Sequence, residues 1–474
     1  METKYMAYKK SIYSYVYYNS EKNVYCIYNS LTMEVLYCDE RFIKIFNEPT
    51  NIFRDYNKLE KRFVSKLLEH DLWVENDFYE EYLSYQFADV LGGNVNIRTM
   101  VLHMTDYCNL RCKYCFIENQ IGSEYIRKTM NLETGKAAID KFLTITKDNT
   151  YDRKNRTIIF YGGEPLLNWL VLEKLLAYIK EKSVFIKNPI DMVIITNGTL
   201  IDTKIAKTLK QYNVEVCISL DGTKEVNDKN RVDLHGMGSF DKVIKSIKVL
   251  RDHCIEPALS SIMSKDSLSK IPEIANFLFG ELKIKGLGFN HVSIIPDSGD
   301  YSQYDADYET QYAKSLLHMQ EIIQREYPDV YEKRMGLKIQ AFLKKEILKS
   351  TCTATGSQIS VSTDGFIGVC QGYMGTRETF NNTVFDETYD PKNDEVFQEW
   401  ATRTPYVMEE CIHCEALSIC GGGCPRNAQM ISGSIWGLDK GFCHFSKLSL
   451  EWMIWQNYCS DEACKEFIHV PDCT

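Results

Sequence analysis

The sequence predicts an α/β fold. Six alternating β/α units form an incomplete parallel β/α barrel or a doubly wound sheet, with a small winged-helix-like module before them and a cysteine-rich segment after. Three observations carry this expectation. Between Arg98 and Ile295, short β-branched runs alternate with amphipathic stretches long enough to be crossover helices. Residues 1–90 instead combine aromatic, alternating runs with two helical patterns. Residues 350–450 have little apolar periodicity but hold seven of the 17 cysteines, and a segment so poor in core residues is normally held together by bound metal.

Taken in chain order, Tyr13–Tyr18 and Val24–Tyr28 read as strands around the turn-like Asn19–Asn23. Glu40–Asn47 and Asn57–His70 read as helices, the second with Phe63, Leu67 and Leu68 on one face, and Val74 lies beyond as a further strand residue. Phe78–Leu91 reads as a helical linker ending at Gly92-Gly93. The barrel strands are expected at Arg98–Met104, Thr157–Tyr161, Met192–Thr196, Val214–Ser219, Ala258–Met263 and Gly286–Ile295, with Trp169–Lys182 and Phe240–His253 among the crossover helices. The domain boundaries that follow are 1–90, 91–300, a polar helical bridge over 301–349, the cysteine-rich segment over 350–450 and a tail over 451–474.

Composition narrows the function classes. A chain of 474 residues with 44% apolar and 25% charged residues can bury a sizeable core, which excludes wholesale disorder. Its net charge of −10 argues against a general nucleic-acid binder, which needs a basic face to displace counterions. No apolar run approaches the roughly 18–20 residues of a membrane span, and Met1–Tyr5 leads into no signal-peptide core, so a cytoplasmic protein is expected.

In a reducing compartment cysteines are not staples, and the plain reading of each is a small buried hydrophobe. That reading predicts scattered positions, yet ten of the 17 fall into two groups. The first, Cys108-x3-Cys112-x2-Cys115, follows the first barrel strand. Three thiolates can hold three irons of a four-iron cluster and leave the fourth iron open. Zinc would want a fourth Cys or His close by, and none follows; His103 precedes the loop on a strand and could equally be core.

This spacing, with Tyr114 before the third cysteine, resembles the radical S-adenosylmethionine (radical SAM) superfamily. The resemblance implies a partial (β/α)6 barrel and a [4Fe-4S] cluster whose open iron binds the amino and carboxylate groups of SAM. Reduction then cleaves SAM to methionine and a 5′-deoxyadenosyl radical that abstracts a substrate hydrogen. Gly162-Gly163-Glu164 after the second strand resembles the family's methionine-amino site. Thr196 and Asn197 end the third strand, and by resemblance Ser219 and Arg231 contact polar groups of SAM, Arg231 being a natural carboxylate partner. Without the resemblance, Thr196-Asn197-Gly198 and Ser219-Leu220-Asp221-Gly222 could be plain turns.

The second group runs Cys352-x12-Gly365-x4-Cys370, then Cys411-x2-Cys414-x5-Cys420-x3-Cys424, then Cys443. It resembles the seven-cysteine signature of the SPASM domain, which carries two auxiliary iron–sulfur clusters. The resemblance implies that Cys411, Cys414, Cys420 and Cys443 ligate the distal cluster and that Cys352, Cys370 and Cys424 ligate the nearer one, giving three [4Fe-4S] clusters in all. Two four-iron clusters want eight protein ligands, and the signature supplies seven. Sulfatase-maturing relatives take the eighth from a cysteine shortly after the first, where this chain has Gly356, Ser357 and Gln358. The near cluster therefore keeps an open iron, or Cys459, Cys464 or Cys473 closes it. Those relatives also carry an Asp base where Gln371 stands here, and Gln cannot take a proton, which argues against sulfatase maturation.

The N-terminal module resembles the peptide-recognition element of peptide-natural-product maturases, which adds a leader peptide as an extra strand at a sheet edge. Winged helices more often bind nucleic acid, but residues 1–90 hold no basic cluster; a mere capping domain is the remaining reading. The function expected is modification of a ribosomally made precursor peptide by cysteine thioether crosslinking, driven by an external flavodoxin- or ferredoxin-type electron donor, with no nucleic acid or membrane partner. The alternatives are carbon–carbon crosslinking, Ser or Cys oxidation, and a non-catalytic electron carrier. The SAM-site segments argue against the last.

Overall fold

A computed structural model describes residues 8–49, 56–75, 85–89, 92–121, 124–147, 156–184, 189–292, 306–460 and 466–467. The first part of the chain builds two small sheets. β1 (Lys9–Lys10) pairs with β5 (Trp73–Val74), and β2 (Ser14–Asn19), β3 (Val24–Asn29) and β4 (Val35–Cys38) form an antiparallel sheet in that order. The helices Glu40–Asn47 and Lys58–Glu69 lie between β4 and β5. Each starts where a side chain satisfies the orphan amides of its first turn. Asp39 accepts from Arg41 and Phe42, and Asn57 and Glu60 form a reciprocal capping box.

Side-chain alternation decides what each face of this three-stranded sheet covers. Ile27, Leu36 and Cys38 pack on the two helices with Phe42, Phe46, Phe63 and Leu67. Cys26, Tyr28 and Tyr37 face the other way, into a core shared with Ile419, Leu450, Met453 and Ile454. Tyr37 also donates its hydroxyl to the Ile454 carbonyl at 2.6 Å. The N-terminal sheet is thus half of a core whose other half comes from the far end of the chain. Of the linker expected at Phe78–Leu91, residues 85–89 are helical and the rest lies outside the described residues.

Among the described residues the central sheet has ten strands. Its parallel body is β6 (Thr99–His103), β7 (Arg156–Tyr161), β8 (Ile190–Thr196), β9 (Glu215–Ser219), β10 (Ala258–Ile262) and β11 (Gly286–Asn290), adjacent in sequence order. That order is a partial β/α barrel rather than a doubly wound sheet, which would reverse its strand order midway. All six strands fall where the alternation predicts. The last is shorter than expected, ending at Asn290, with residues 293–295 outside the described set. Met100, Leu102, Ile158, Phe160, Ile194 and Ile218 pack outward in the main core. The residues between them, Val101, Ile159, Ile195 and Ser219, face a central cavity.

Two additions flank the six strands. β12 (Tyr331–Glu332) pairs parallel with β11 between the helices Ala306–Glu326 and Lys333–Lys344. On the opposite edge β13 (Gln358–Val361) pairs parallel with β6, and β14 (Phe366–Gly368) and β15 (Asn382–Thr383) continue antiparallel. The cysteine-rich segment is therefore continuous with the barrel sheet. The boundary expected at 450 falls inside one helix, Lys440–Ser460.

If the shared core couples the two ends of the chain, Ile454→Ala should cost about 2–5 kcal/mol, the usual loss for a fully buried aliphatic side chain. The N-terminal sheet should then melt together with the C-terminal helix. Hydrogen exchange of the β3 amides in the variant checks this; unchanged protection there would mean that the two ends are independent.

Candidate functional site

The cavity at the centre of the barrel has a volume of about 500 Å3, within the range of small-molecule sites. Cys108, Cys112, Tyr114 and Cys115 line it, as do Gly162, Gly163, Thr196, Asn197, Ser219 and Arg231. Of the residues singled out for cofactor binding, only Glu164 is not in its wall. Among the described residues no three His, Cys, Asp or Glu side chains converge tightly enough to chelate one metal ion, the geometry a structural zinc requires. His103 is buried, and its Nε2 lies 3.3 Å from Ser360 Oγ on β13. It is a core residue whose pKa burial lowers to about 3.

The loop from Cys108 to Cys115 is built to present sulfur. The amide of Leu110 donates to Cys108 Sγ at 3.4 Å and that of Glu118 to Cys115 Sγ at 3.5 Å, while Asn197 Nδ2 reaches Cys108 Sγ at 3.8 Å. N–H groups aimed at sulfur favour thiolate and tune a bound iron centre. Burial pushes the Cys108 thiol up to about 12 and Cys112 to about 11, with the Arg231 guanidinium working against burial at Cys112. Protonated thiols such as these release protons when metal binds.

The two glycines are needed for the protein's own packing. A Cβ on Gly163 would lie 2.3 Å from the Tyr107 carbonyl oxygen, and one on Gly162, where φ is +136°, would lie 2.5 Å from that of Thr105. The end of β7 therefore closes directly on the cysteine loop, an approach only glycine allows. Glu164 locks the next junction. Its buried carboxylate accepts from the Leu166 amide (3.0 Å), the Thr196 hydroxyl (2.6 Å) and the Asn197 amide (2.7 Å). Burial raises its pKa to about 7, against those three donors.

Arg231 is already engaged. Its Nη2 donates to Asp221 Oδ1 at 2.9 Å, and both side chains are buried. Asp221 also accepts from the Tyr114 hydroxyl and the Ile262 amide, and Tyr114 stacks under the guanidinium at 5.4 Å. Asp221 thus organises two of the expected cofactor contacts. In the sequence it was visible only as part of a turn.

The second cysteine group separates into two sets. Burial, then the neighbouring sulfurs of Cys352 and Cys424, push the Cys370 thiol upward. Cys411, Cys414, Cys420 and Cys443 form the other set; burial raises Cys443 first, and Cys420, Cys411 and Cys414 add to it. Cys424 lines the central cavity, together with Thr353, Gln358 and Gln371. Those three side chains are bonded in a row, Thr353 to Gln358 at 2.7 Å and Gln358 to Gln371 at 2.8 Å. Cys464, Cys473 and the side chain of Cys459 lie outside the described residues.

Two buried cations test whether these sulfur sets suit iron–sulfur clusters. Lys338 bonds the Ile419 carbonyl (3.1 Å) and Ser446 hydroxyl (2.8 Å), and Arg403 bonds the carbonyls of Ile435, Gly422 and Gly437. Among the described residues neither forms a salt bridge, although buried charges are normally paired. Cys420 and Cys443 favour the charged form of Lys338, which burial lowers to about 8, and Cys424 and Cys411 do the same for Arg403. Thiolate ligands of an anionic cluster supply the negative charge this arrangement lacks, so the donor set fits. Sequence reading missed both cations, along with Asp439, which accepts from the Cys424 amide at 3.0 Å, and His291, whose Nε2 has no partner in the cavity wall.

Comparison with known proteins agrees with this geometry. Residues 102–278 match the radical SAM superfamily model, so this part of the chain is a radical SAM domain. Over most of its length it is similar to the radical SAM cyclopropyl synthase TigE of Paramaledivibacter caminithermalis, with 26% identity over 459 residues, 92% of this chain and 89% of that one. It is 26% identical over 339 residues to a cysteine-type anaerobic sulfatase-maturating enzyme of Clostridium novyi, covering 68% and 86% of the two chains. The fold matches native anSMEcpe with bound AdoMet (TM-score 0.64, 22% identity, 76% of this chain and 98% of that one). It also matches Streptococcus suis SuiB bound to its precursor peptide SuiA (TM-score 0.54, 18% identity, 92% and 99%).

Two substitutions probe the site. Glu164→Gln turns one of three acceptor contacts into a clash of donors, and should cost about 1–3 kcal/mol in thermal unfolding and slow 5′-deoxyadenosine formation. Lys338→Met should have opposite effects in two states. It should raise the melting temperature of the metal-free chain by removing an uncompensated charge, and lower the iron retained after reconstitution. A metal-free chain destabilised by Lys338→Met would contradict the charge argument.

Proposed function

We propose that this protein is a radical SAM peptide maturase that joins a cysteine sulfur of a ribosomally made precursor peptide to a carbon of the same peptide. The observation that carries this reading is the single cavity. Its wall includes Cys108, Cys112 and Cys115 at one place and Cys424, with the thiol-free row Thr353–Gln358–Gln371, at another. A substrate residue in that space lies within reach of both sulfur systems.

In this reading Cys108, Cys112 and Cys115 hold a [4Fe-4S] cluster, and Gly162, Gly163, Thr196, Asn197, Ser219 and Arg231 surround SAM. Reduced by an external flavodoxin- or ferredoxin-type donor, that cluster supplies a 5′-deoxyadenosyl radical. Cys352, Cys370 and Cys424 hold a near auxiliary cluster, and Cys411, Cys414, Cys420 and Cys443 a distal one. Closing a sulfur–carbon bond removes two hydrogens from the peptide. One leaves as an atom, the other as the thiol proton, and one electron must be carried away. Clusters held by these cysteines would supply a redox partner for that electron. Gln371 cannot accept the proton, so it must pass to another group or to solvent.

A second reading is favoured by the similarity to TigE, named for cyclopropyl synthesis, over nearly the whole chain. Here the bond closed is carbon–carbon and the peptide thiols stay free. A peptide encoded beside this gene, incubated with the reconstituted enzyme, SAM and reductant, separates the two. In both readings the product lacks two hydrogens, but only thioether formation also removes reactivity toward a thiol-alkylating reagent. Replacing Cys108, Cys112 and Cys115 together with Ala should abolish deoxyadenosine formation and leave about eight of about twelve irons. Residual SAM cleavage in that variant would overturn the assignment.

A further inference from the structure

β11 ends at Asn290, and the next residue, His291, stands in the wall of the central cavity. Its ring lies between two tyrosines of the helix Ala306–Glu326, with centroids 5.1 Å from Tyr308 and, edge-on, 5.0 Å from Tyr312. Neither hydroxyl serves it. Tyr308 donates to the Met263 carbonyl at 2.6 Å, and Tyr312 to that of Phe289 at 3.4 Å. Among the described residues the buried Nε2 of His291 has no hydrogen-bond partner. Buried polar atoms are normally satisfied, so one left over in a cavity wall points to a group that enters the cavity.

We propose that His291 Nε2 takes the thiol proton of the substrate cysteine as the sulfur–carbon bond closes. This rests on the thioether reading and supplies the acceptor that Gln371 cannot be. In that step an S–H and a C–H bond break and one S–C bond forms. The hydrogen atom leaves with the deoxyadenosyl radical, the proton goes to Nε2, and the remaining electron goes to an iron–sulfur acceptor held by the second cysteine group. Asp439 ties the ring to that group. Its carboxylate accepts from the Cys424 amide at 3.0 Å, and its charge acts on His291. Other carboxylates of the wall are engaged: Asp106 accepts from Tyr125, the Lys128 amide and Thr363, and Glu118 pairs with Arg127.

The surroundings keep the ring in its accepting form. Burial lowers the His291 pKa and Arg334 adds to it, while Asp439 and the Val292 backbone oppose both. Arg334 is held beside the ring by the Phe289 carbonyl (3.2 Å) and Asn290 Oδ1 (2.6 Å). Glu332, from the same side, spends its carboxylate on the amides of Phe289 and Met335, and burial raises the Tyr312 hydroxyl above its ordinary value. A lowered pKa leaves the imidazole neutral at pH 7. The accepting form is then present above that pKa and lost as pH falls through it. Crosslinking per radical spent should therefore be flat around neutral pH and fall only on the acid side of the ordinary histidine range.

The test measures crosslinks formed per deoxyadenosine released, using the reconstituted enzyme, SAM, reductant and the peptide encoded beside this gene. His291→Gln should lower that ratio at least about tenfold, and make it climb with pH toward about 8.5, where a free thiol gives its proton to water. In His291→Ala, added imidazole should restore the ratio. An unchanged ratio in His291→Gln overturns the proposal. So does deoxyadenosine that falls in step with crosslinks, which would assign the ring to SAM or to packing. Should both variants fail to hold iron, the wild-type profile decides. A ratio that climbs about tenfold per pH unit through neutrality means that water takes the proton, and overturns the proposal. Wild-type product whose thiols still react with an alkylating reagent overturns the thioether reading and this role with it, whereas the variant results bear on this role alone.

Discussion

The pairing of β13 with β6 is the constraint on which the rest of the arrangement depends. Four register pairs, from Gln358↔Thr99 to Val361↔Leu102, join a segment near residue 360 to the first strand of the barrel. Cys108 follows β6 by five residues, and Cys352 and Cys370 lie on either side of β13–β14. One set of backbone hydrogen bonds therefore brings the segment that carries Cys352 and Cys370 beside the first barrel strand, on the side where Cys424 joins Cys108, Cys112 and Cys115 in the wall of one cavity. Parallel pairing over such a separation costs loop-closure entropy, a cost that grows only slowly with the length of the intervening chain. The buried contact between Ser360 and His103 lies on this seam, and it explains why a histidine so close to a cysteine loop is a core residue.

A second theme is that sulfur stands in for hydrocarbon in the C-terminal part. Around Cys411, Cys414, Cys420 and Cys443 the chain places Lys338 and Arg403 where a purely apolar core would hold leucine or phenylalanine. Desolvating two cations costs several kcal/mol each in the absence of a counter-charge. That cost falls if the interior carries negative charge in the working state, and thiolate-bound iron at these cysteines would supply it, beside the Asp439 carboxylate that already favours charged Arg403. The metal-free protein is then expected to be strained in its electrostatics rather than in its backbone, and folding of this region is coupled to metal.

The legibility of the sequence follows from the range of the interactions. Strands β6 to β11 and helices such as Trp169–Ser183 were readable because period-2 and period-3.6 patterns are local and the barrel repeats them. The clustering of ten cysteines in two groups was readable because their spacings stand out from scatter, while their division into Cys352, Cys370 and Cys424 against the rest came from the resemblance alone. Glu164 was noticed as a carboxylate after two glycines, but the donors that satisfy it, Thr196 and Asn197 at the end of β8 and Leu166 in its own turn, could not be read from its neighbours in sequence. Lys338, Arg403 and Asp439 carried no sequence signal, and Asp221 only that of a turn, since each matters for what the fold brings beside it. The same holds for β13, a four-residue strand whose partner is in the barrel, and for the shared face of Cys26, Tyr28 and Tyr37.

That shared face bears on how the N-terminal sheet can serve a distant cavity. Tyr37 bonds the helix Lys440–Ser460 at Ile454, and the same helix carries Cys443 and begins one residue after Asp439, which accepts from the Cys424 amide. Tyr17 reaches Glu415, next to Cys414, at 2.8 Å. The N-terminal sheet is therefore packed, through its Cys26, Tyr28 and Tyr37 face, against the same helix and loop that carry cysteines of the second group, so its position relative to the cavity is set by that shared core.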